Sequence, residues 1–310
     1  MQAGMELLAA IDVGTNTVRM LVAAREGLRL HPVLRMRRIT GLGRELRETG
    51  AIGRRESGAT LSALRAFHRE MRRLGVSRFR ACGTAALREA SNRGEFLSAA
   101  RGEGIPVEVI TGREEARRTW QGIREKLGVR AAVAMDIGGG STEFIAGGGA
   151  VRSVSLPIGV VVLCGAFPFS DPPAGWQIRN LRLYLAERIR AGTRRFGGGT
   201  VRRLIGTAGT FTTLAALDRR LRVYRPERID GHRMAYRDVR RWEDRLTGMT
   251  DRERLALPGM EKGRERYIVP GVCQAAVAME RFGAEELIIS DAGLLEGILR
   301  GIVGEKEHTG

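Results

Sequence analysis

Apolar residues along this chain gather in short runs that end at glycine-bearing turns. Leu7 to Ile11 is one such run. It meets Asp12 and the turn Val13-Gly14-Thr15-Asn16-Thr17, and an apolar pattern resumes from Val18 to Ala24, which predicts strand, tight turn, strand. Ala131 to Met135, the turn Asp136 to Thr142 and the run Phe144 to Ala146 repeat that arrangement in the second half. Between the two copies, Leu61, Leu64, Phe67, His68 and Met71 fall at helical spacing within Glu56 to Leu74, and Gly75 is a stop signal. Arg78 to Cys82 predicts a strand, Gly83 to Ala90 a turn running into a helix, Val107 to Ile110 another strand, and Glu114 to Leu127 a helix. Further on, Leu204 to Thr210 reads as strand and glycine turn before a helix at Phe211 to Leu217. Leu287 to Ser290 with Leu294 to Leu299 repeats that style, and Pro168 to Gly175 is a loop. The alternation predicts an α/β protein of two similar lobes. The expected boundaries are 1–128 and 129–291, with a C-terminal helix at about 292–310 that could pack back on the first lobe; the polar tail 305–310 is expected to fray.

Composition narrows the class. With 310 residues, 43% of them apolar, the chain has material for two cores. The longest apolar stretch, Ile158 to Phe169, is too short to span a bilayer, and a soluble cytoplasmic protein without a membrane partner is expected. Cys82, Cys164 and Cys273 are widely separated, which argues against a disulfide framework and a zinc cluster. His31, His68, His232 and His308 show no ligand spacing and read as surface or packing residues. The net charge of +17 suits nucleic acid, an anionic surface or a polyanionic small substrate. Nucleic acid is the minor alternative, because the arginines are spread along the chain and aromatics are only 5%.

The two turns carry the candidate chemistry. Glycines with Ser and Thr present backbone N–H groups and hydroxyls that a phosphate chain can approach closely. The Asp leading each turn is placed to hold Mg2+, directly or through water. A single Asp-Gly turn of this kind is usually no more than a hairpin; two in register are stronger evidence.

Asp12 to Thr17 with Arg19 to Val22, Gly83 to Asn92, Gly112-Arg113-Glu114-Glu115-Ala116 and Asp136 to Glu143 together resemble the exopolyphosphatase / guanosine pentaphosphatase (Ppx/GppA) family. Leu156 to Gly159, Ser170 to Pro173, Gly206 to Thr213, Gly231-His232 and Pro258 to Gly271 extend the resemblance over nearly the whole chain. It implies two ribonuclease-H-like (actin-like ATPase) lobes with the active site in the cleft between them, and compatibility with a homodimer. It also implies Glu114 as the carboxylate that activates water for release of terminal orthophosphate from polyphosphate. Phosphate ligands by family position are Gly14, Thr15, Asn16, Thr17, Arg88, Gly138, Gly139, Gly140, Ser141 and Thr142. Asp136 and Glu143 are assigned to Mg2+, with Asp12 as a third carboxylate and Mn2+ as an alternative ion. Without the resemblance, Glu114 and Glu115 would simply suit a helix start, and Glu143 would be an exposed strand residue. Two departures stand out: Arg264-Glu265-Arg266 has a base where the family pattern has an acid, and the chain ends at Gly310 without the C-terminal helical extension of longer members.

Other functions fit parts of this pattern. The same chemistry could remove the 5′-phosphate of guanosine pentaphosphate, since the Gly206 to Thr210 turn lies where related superfamily proteins contact adenosine. An ATP-dependent kinase on the same superfamily fold is disfavoured by the Gly112 to Ala116 segment. A sensor that binds polyphosphate or an alarmone without turnover is the non-enzymatic reading.

Overall fold

A computed structural model describes residues 5–148, 150–196 and 201–304, apart from the Arg47 side chain; the expected frayed tail and His308 lie outside the described residues. The chain divides into two compact units, Met1–Gly122 with Gly293–Gly310, and Ile123–Ala292. The first boundary falls inside the helix Gly112–Leu127, earlier than the 128 expected from sequence.

The first unit holds strands β1 (Glu6–Val13), β2 (Thr17–Glu26), β3 (Arg29–Ile39), β4 (Arg78–Gly83) and β5 (Val107–Val109), in sheet order β3-β2-β1-β4-β5. The first three run antiparallel, while β4 is parallel to β1 and β5 to β4. The second unit holds β6 (Ala132–Ile137), β7 (Thr142–Gly147), β8 (Arg152–Leu156), β9 (Arg203–Thr207), β10 (Arg233–Ala235) and β11 (Glu286–Ser290), ordered β10-β11-β9-β6-β7-β8. Its β8-β7-β6-β9-β11 portion repeats the order and strand directions of the first sheet. This is the ribonuclease-H-like α/β lobe, present twice.

Burial on both faces explains why β1 reads as a continuous apolar run. Ala9, Ile11 and Val13 enter one core with Leu64, Phe67 and Met71 of the helix Arg54–Leu74, whereas Leu8 and Ala10 enter another with Ile298, Leu299 and Ile302 of the helix Leu294–Gly304. Each such large side chain contributes about 1.5–3 kcal/mol when fully buried. The alternation also decides where Asp12 points: it is in phase with Leu8 and Ala10, toward the Leu294–Gly304 side. In the second unit Val133, Met135 and Ile137 of β6 pack with Phe144, Phe211 and the helix Ile268–Phe282, leaving Asp136 on the opposite face.

Among the elements that the sequence pattern did not predict, three have a clear physical reason. The β3 strand carries a bulge: Val22 pairs with Leu34 but Ala23 with Pro32, so Val33 is the extra residue and the two-residue rhythm slips. The helix Tyr236–Thr247 has Glu243 at a core position between Val239 and Leu246, satisfied by Arg182 at 2.6 Å and by Arg240. The helix Ile268–Phe282 is buried on nearly all sides and so has no amphipathic stripe; its Pro270 sits in the first turn, where a missing N–H is tolerated.

All three cysteines are free and buried. His68 bonds the Glu103 carbonyl, His232 lies between Asp218 and Arg219, and His31 is beside Glu26 at the surface. Among the described residues no helix is long and apolar enough to cross a membrane.

Candidate active site

The two hairpin tips are built alike. In the first unit Gly14 donates its N–H to the Thr17 carbonyl at 3.1 Å, leaving Thr15 and Asn16 at the tip. The segment after β3 then folds over the tip: Gly43 N–H reaches the Thr15 carbonyl at 2.8 Å, and Thr40 and Gly41 both reach the Asn16 carbonyl at 3.0 Å. In the second unit Gly138 donates to the Ser141 carbonyl at 2.9 Å, with Gly139 and Gly140 at the tip. The segment after β8 closes on it in the same way. Val160 donates to Gly138 at 3.0 Å, Val161 to Gly139 at 2.9 Å and Gly159 to Gly140 at 3.2 Å.

An ordinary hairpin tip turns both its N–H and C=O groups to water. Here the tip carbonyls are capped by the chain itself, while the backbone N–H groups of Thr15, Asn16, Gly139 and Gly140 have no hydrogen-bond partner among the described residues. Each tip therefore presents an uncompensated pair of N–H dipoles, the arrangement that binds anions. The close seat needs glycine in the capping segment. A Cβ at Gly43 would overlap the Thr15 methyl, and one at Gly159 would overlap the Gly139 carbonyl.

Beside each tip stands its aspartate, and the strand register fixes what faces it. Asp12 pairs with Arg19, whose Nε and Nη2 both bond Asp12 Oδ2, at 3.0 and 2.6 Å. Asp136 pairs with Glu143. The Glu143 carboxylate is 3% exposed, not the exposed strand residue that pattern alone predicts, and its Oε1 accepts from the Ser141 and Ser155 hydroxyls at 2.6 and 2.7 Å. Asp12 Oδ1 is buried with no partner.

These carboxylates bear on the implied metal. Among the described residues no three His, Cys, Asp or Glu side chains gather closely enough to cage an ion. Mg2+ characteristically takes one or two protein carboxylates and completes its shell with water and substrate phosphate. The cross-strand Asp136–Glu143 pair suits that donor set, and the bare Asp12 Oδ1 is a further oxygen of the right kind.

Glu114 opens the helix Gly112–Leu127 beyond the end of β5, on the sheet edge where ligands of parallel α/β units bind. Its N–H bonds the Thr111 hydroxyl at 3.2 Å, so Thr111 and Glu114 occupy the two ends of a capping-box sequence. The Glu114 carboxylate turns to Arg118, however, with Nε and Nη2 both on Oε1 at 3.0 and 2.5 Å. Glu115 takes the structural role expected of it, bonding Arg88 at 2.6 Å.

Two expected phosphate ligands are engaged elsewhere. Arg88 Nη1 bonds Glu115 and the Ile110 carbonyl, which ties the helix Ala85–Glu89 to the chain entering the Glu114 helix. The Thr142 side chain is fully buried, and its hydroxyl bonds Gln274 at 2.8 Å and the Ile158 carbonyl at 3.4 Å; it anchors the hairpin and is closed to substrate. Ser141 donates to Glu143, whereas the Asn16 side chain makes no hydrogen bond among the described residues. Within the divergent Arg264-Glu265-Arg266 segment, Arg264 pairs with Glu261 and Glu265 accepts the Gly263 N–H.

Sequence reading missed Arg19, Arg118 and the Thr40–Gly43 segment. The signal for Arg19 was present: in a tight hairpin the residue opposite Asp12 lies seven positions on, the spacing that also pairs Asp136 with Glu143. Arg118 had the weaker signal of an acid and a base at i,i+4. Nothing local marks Thr40–Gly43, because its contribution is backbone N–H groups.

Comparison with known proteins places these features. The model of the Ppx/GppA phosphatase family matches residues 21–306. Exopolyphosphatase 2 of Mycobacterium tuberculosis is 34% identical, covering 96% of this chain and 98% of the relative; exopolyphosphatase 1 of Mycobacterium bovis is 28% identical over 97% and 90%. The crystal structure of the Aquifex aeolicus Ppx/GppA family member superposes with a TM-score of 0.85 at 32% identity, covering 99% of this chain and all of that one. An exopolyphosphatase from Cytophaga hutchinsonii superposes at 0.89 with 28% identity, over 97% and 98%.

Proposed function

Because the chain belongs to the Ppx/GppA phosphatase family, and is thus a hydrolase of phosphoanhydride bonds, we propose that it releases terminal orthophosphate from inorganic polyphosphate, with Glu114 activating the attacking water. The observation that carries the substrate class is the pair of tips whose carbonyls are capped and whose N–H groups are not. Each tip offers donors to phosphate oxygens, and at Gly139-Gly140 no side chain stands in the way. The net charge of +17 supports a strongly anionic substrate, and three of the four relatives reported above are called exopolyphosphatases.

The division of labour follows from the chemistry. A loose phosphoryl transition state asks for positioning and charge stabilisation more than for covalent help. Thr15, Asn16, Gly139 and Gly140 supply N–H donors, and Glu114 holds and deprotonates water. Asp136 and Glu143 would hold Mg2+, with Asp12 as the first unit's candidate oxygen, and the ion would offset phosphate charge; Mn2+ could take its place. Arg19 fixes Asp12 through two hydrogen bonds to Oδ2.

Orthophosphate release from polyphosphate by purified protein with Mg2+ tests the reading. Glu114→Gln is expected to lower turnover about 100-fold or more, the scale of general-base catalysis; equal rates would end the assignment of Glu114. Guanosine pentaphosphate measured alongside separates the substrates, and a large preference for it would displace polyphosphate. Tight binding of polyphosphate without release under varied metals would identify a sensor.

A further inference from the structure

We propose that Arg118 is the positioning residue for Glu114, holding one carboxylate oxygen so that the other is presented to water; this rests on Glu114 being the base. Both guanidinium donors, Nε at 3.0 Å and Nη2 at 2.5 Å, converge on the single oxygen Oε1. Oε2 is bonded by no described residue, and Glu114 remains 30% exposed at an open pocket that it lines with Arg118, Arg117, Arg80, Glu108 and Gln121.

Arg118 is itself fixed. It is 5% exposed, and its Nη1 lies 3.6 Å from Cys82 Sγ on β4, the residue paired in register with Asp12. Its backbone is fixed by close approach to the helix Leu294–Gly304, where a Cβ at Gly297 would overlap the Arg118 carbonyl. Cys82 is buried and its thiol is pushed up to about 12, chiefly by burial, so a neutral SH faces the guanidinium and adds no competing charge.

A simple helix-stabilising role does not account for this geometry. An i,i+4 acid–base pair helps a helix equally well, or better, at the surface, whereas burying a guanidinium costs desolvation. What burial adds is a fixed rotamer. A glutamate free to turn at a helix start samples several rotamers, and a base displaced by about 1 Å from its reacting position loses about 100-fold in rate.

Steady-state phosphate release by wild type, Arg118→Met, Arg118→Lys, Glu114→Gln and the Glu114→Gln/Arg118→Met double variant tests the proposal, with thermal melts of each. Arg118→Met, of similar length but unable to donate, is expected to lower kcat about 10- to 100-fold while KM stays within about twofold. The double variant is expected to match Glu114→Gln alone, because Arg118 acts only through Glu114. A folded Arg118→Met with wild-type kcat would overturn the proposal, and so would an equal loss in both backgrounds. Should the Met variant not fold, Arg118→Lys retains the charge but not the two donors on one oxygen; a smaller loss of kcat is expected, and wild-type kcat in that variant overturns the proposal equally. Unchanged turnover in Glu114→Gln would instead remove the underlying reading of the base, an outcome separate from any result at Arg118.

Discussion

The two hairpin tips share length, register and backbone capping, yet the residue facing each aspartate has the opposite charge. Asp12 looks across the strands at Arg19, and Asp136 looks at Glu143. Directly opposed unlike charges stabilise an antiparallel pair and like charges do the reverse. The first tip therefore sets an ion pair across its strands, while the second sets two carboxylates opposite each other. The two units share the backbone capping of the tip and differ in the charge set across from the aspartate.

The most severe challenge to that difference is removal of the second aspartate. Asp136→Asn is expected to reduce phosphate release about 100-fold and to move the Mg2+ midpoint upward at least about tenfold, on the scale of losing an ion's ligand. Asp12→Asn should move the midpoint by less. Equal shifts in the two metal titrations would show that the tips are not electrically distinct.

The capping segments should differ in tolerance. Gly159→Ala meets backbone carbonyl, which cannot swing aside, so a loss of about 3 kcal/mol is expected. Gly43→Ala meets only a threonine methyl, and about 1 kcal/mol is expected. Urea unfolding of both variants measures this, and the reverse order would contradict the backbone-seated picture of the second tip.

Arg19→Met should cost about 1–2 kcal/mol, since Asp12 is buried but Arg19 is a third exposed. Combining it with Asp12→Asn should recover part of that loss; full additivity would mean the pair is not coupled.

A smaller contrast lies where each unit's fourth strand enters a helix. Ala208 holds a φ of 69°, a conformation suited to glycine, while Thr84 at the corresponding turn has a φ of −112°. Ala208→Gly should stabilise by up to about 1 kcal/mol, and Thr84→Gly should not stabilise at all; denaturant midpoints read both.

The weakest contrast concerns thiols. Burial raises Cys82 to about 12 and Cys164 to about 11, from an ordinary value of 9.0. Both stay protonated and inert to maleimide at neutral pH in the folded protein. Because the folded values lie above the unfolded one, their stabilising contribution is complete below pH 9 and is lost as pH rises toward 11 and 12.

How much of this the sequence disclosed depended on whether the information was local. The hairpins around Asp12 and Asp136 were legible because strands buried on both faces write themselves as apolar runs. Strand β3 was not, because the Val33 bulge breaks the rhythm, and the Glu243 helix was not, because a paired charge occupies a core position. The same holds at the site. The tips, their aspartates and Glu114 stood out as motifs, and Arg19 could have been found from hairpin register. The capping of the Thr15 and Asn16 carbonyls could not, since it comes from N–H groups after β3, and every residue type but proline carries one. Arg88 and Thr142 were placed at phosphate by family position, and the sequence carried no sign of the Glu115 and Gln274 contacts that hold their polar groups here.

Main-chain capping also sets how this molecule can drift. The tips read Thr-Asn in one unit and Gly-Gly in the other, yet present the same backbone donors, which do not depend on side-chain identity. Insertions or deletions in 40–43 or 157–159 are different, because shifting those segments by one residue would uncap every tip carbonyl at once. The segments most exacting in length are thus ones that need not touch the substrate, and a deletion scan would find them before an alanine scan did.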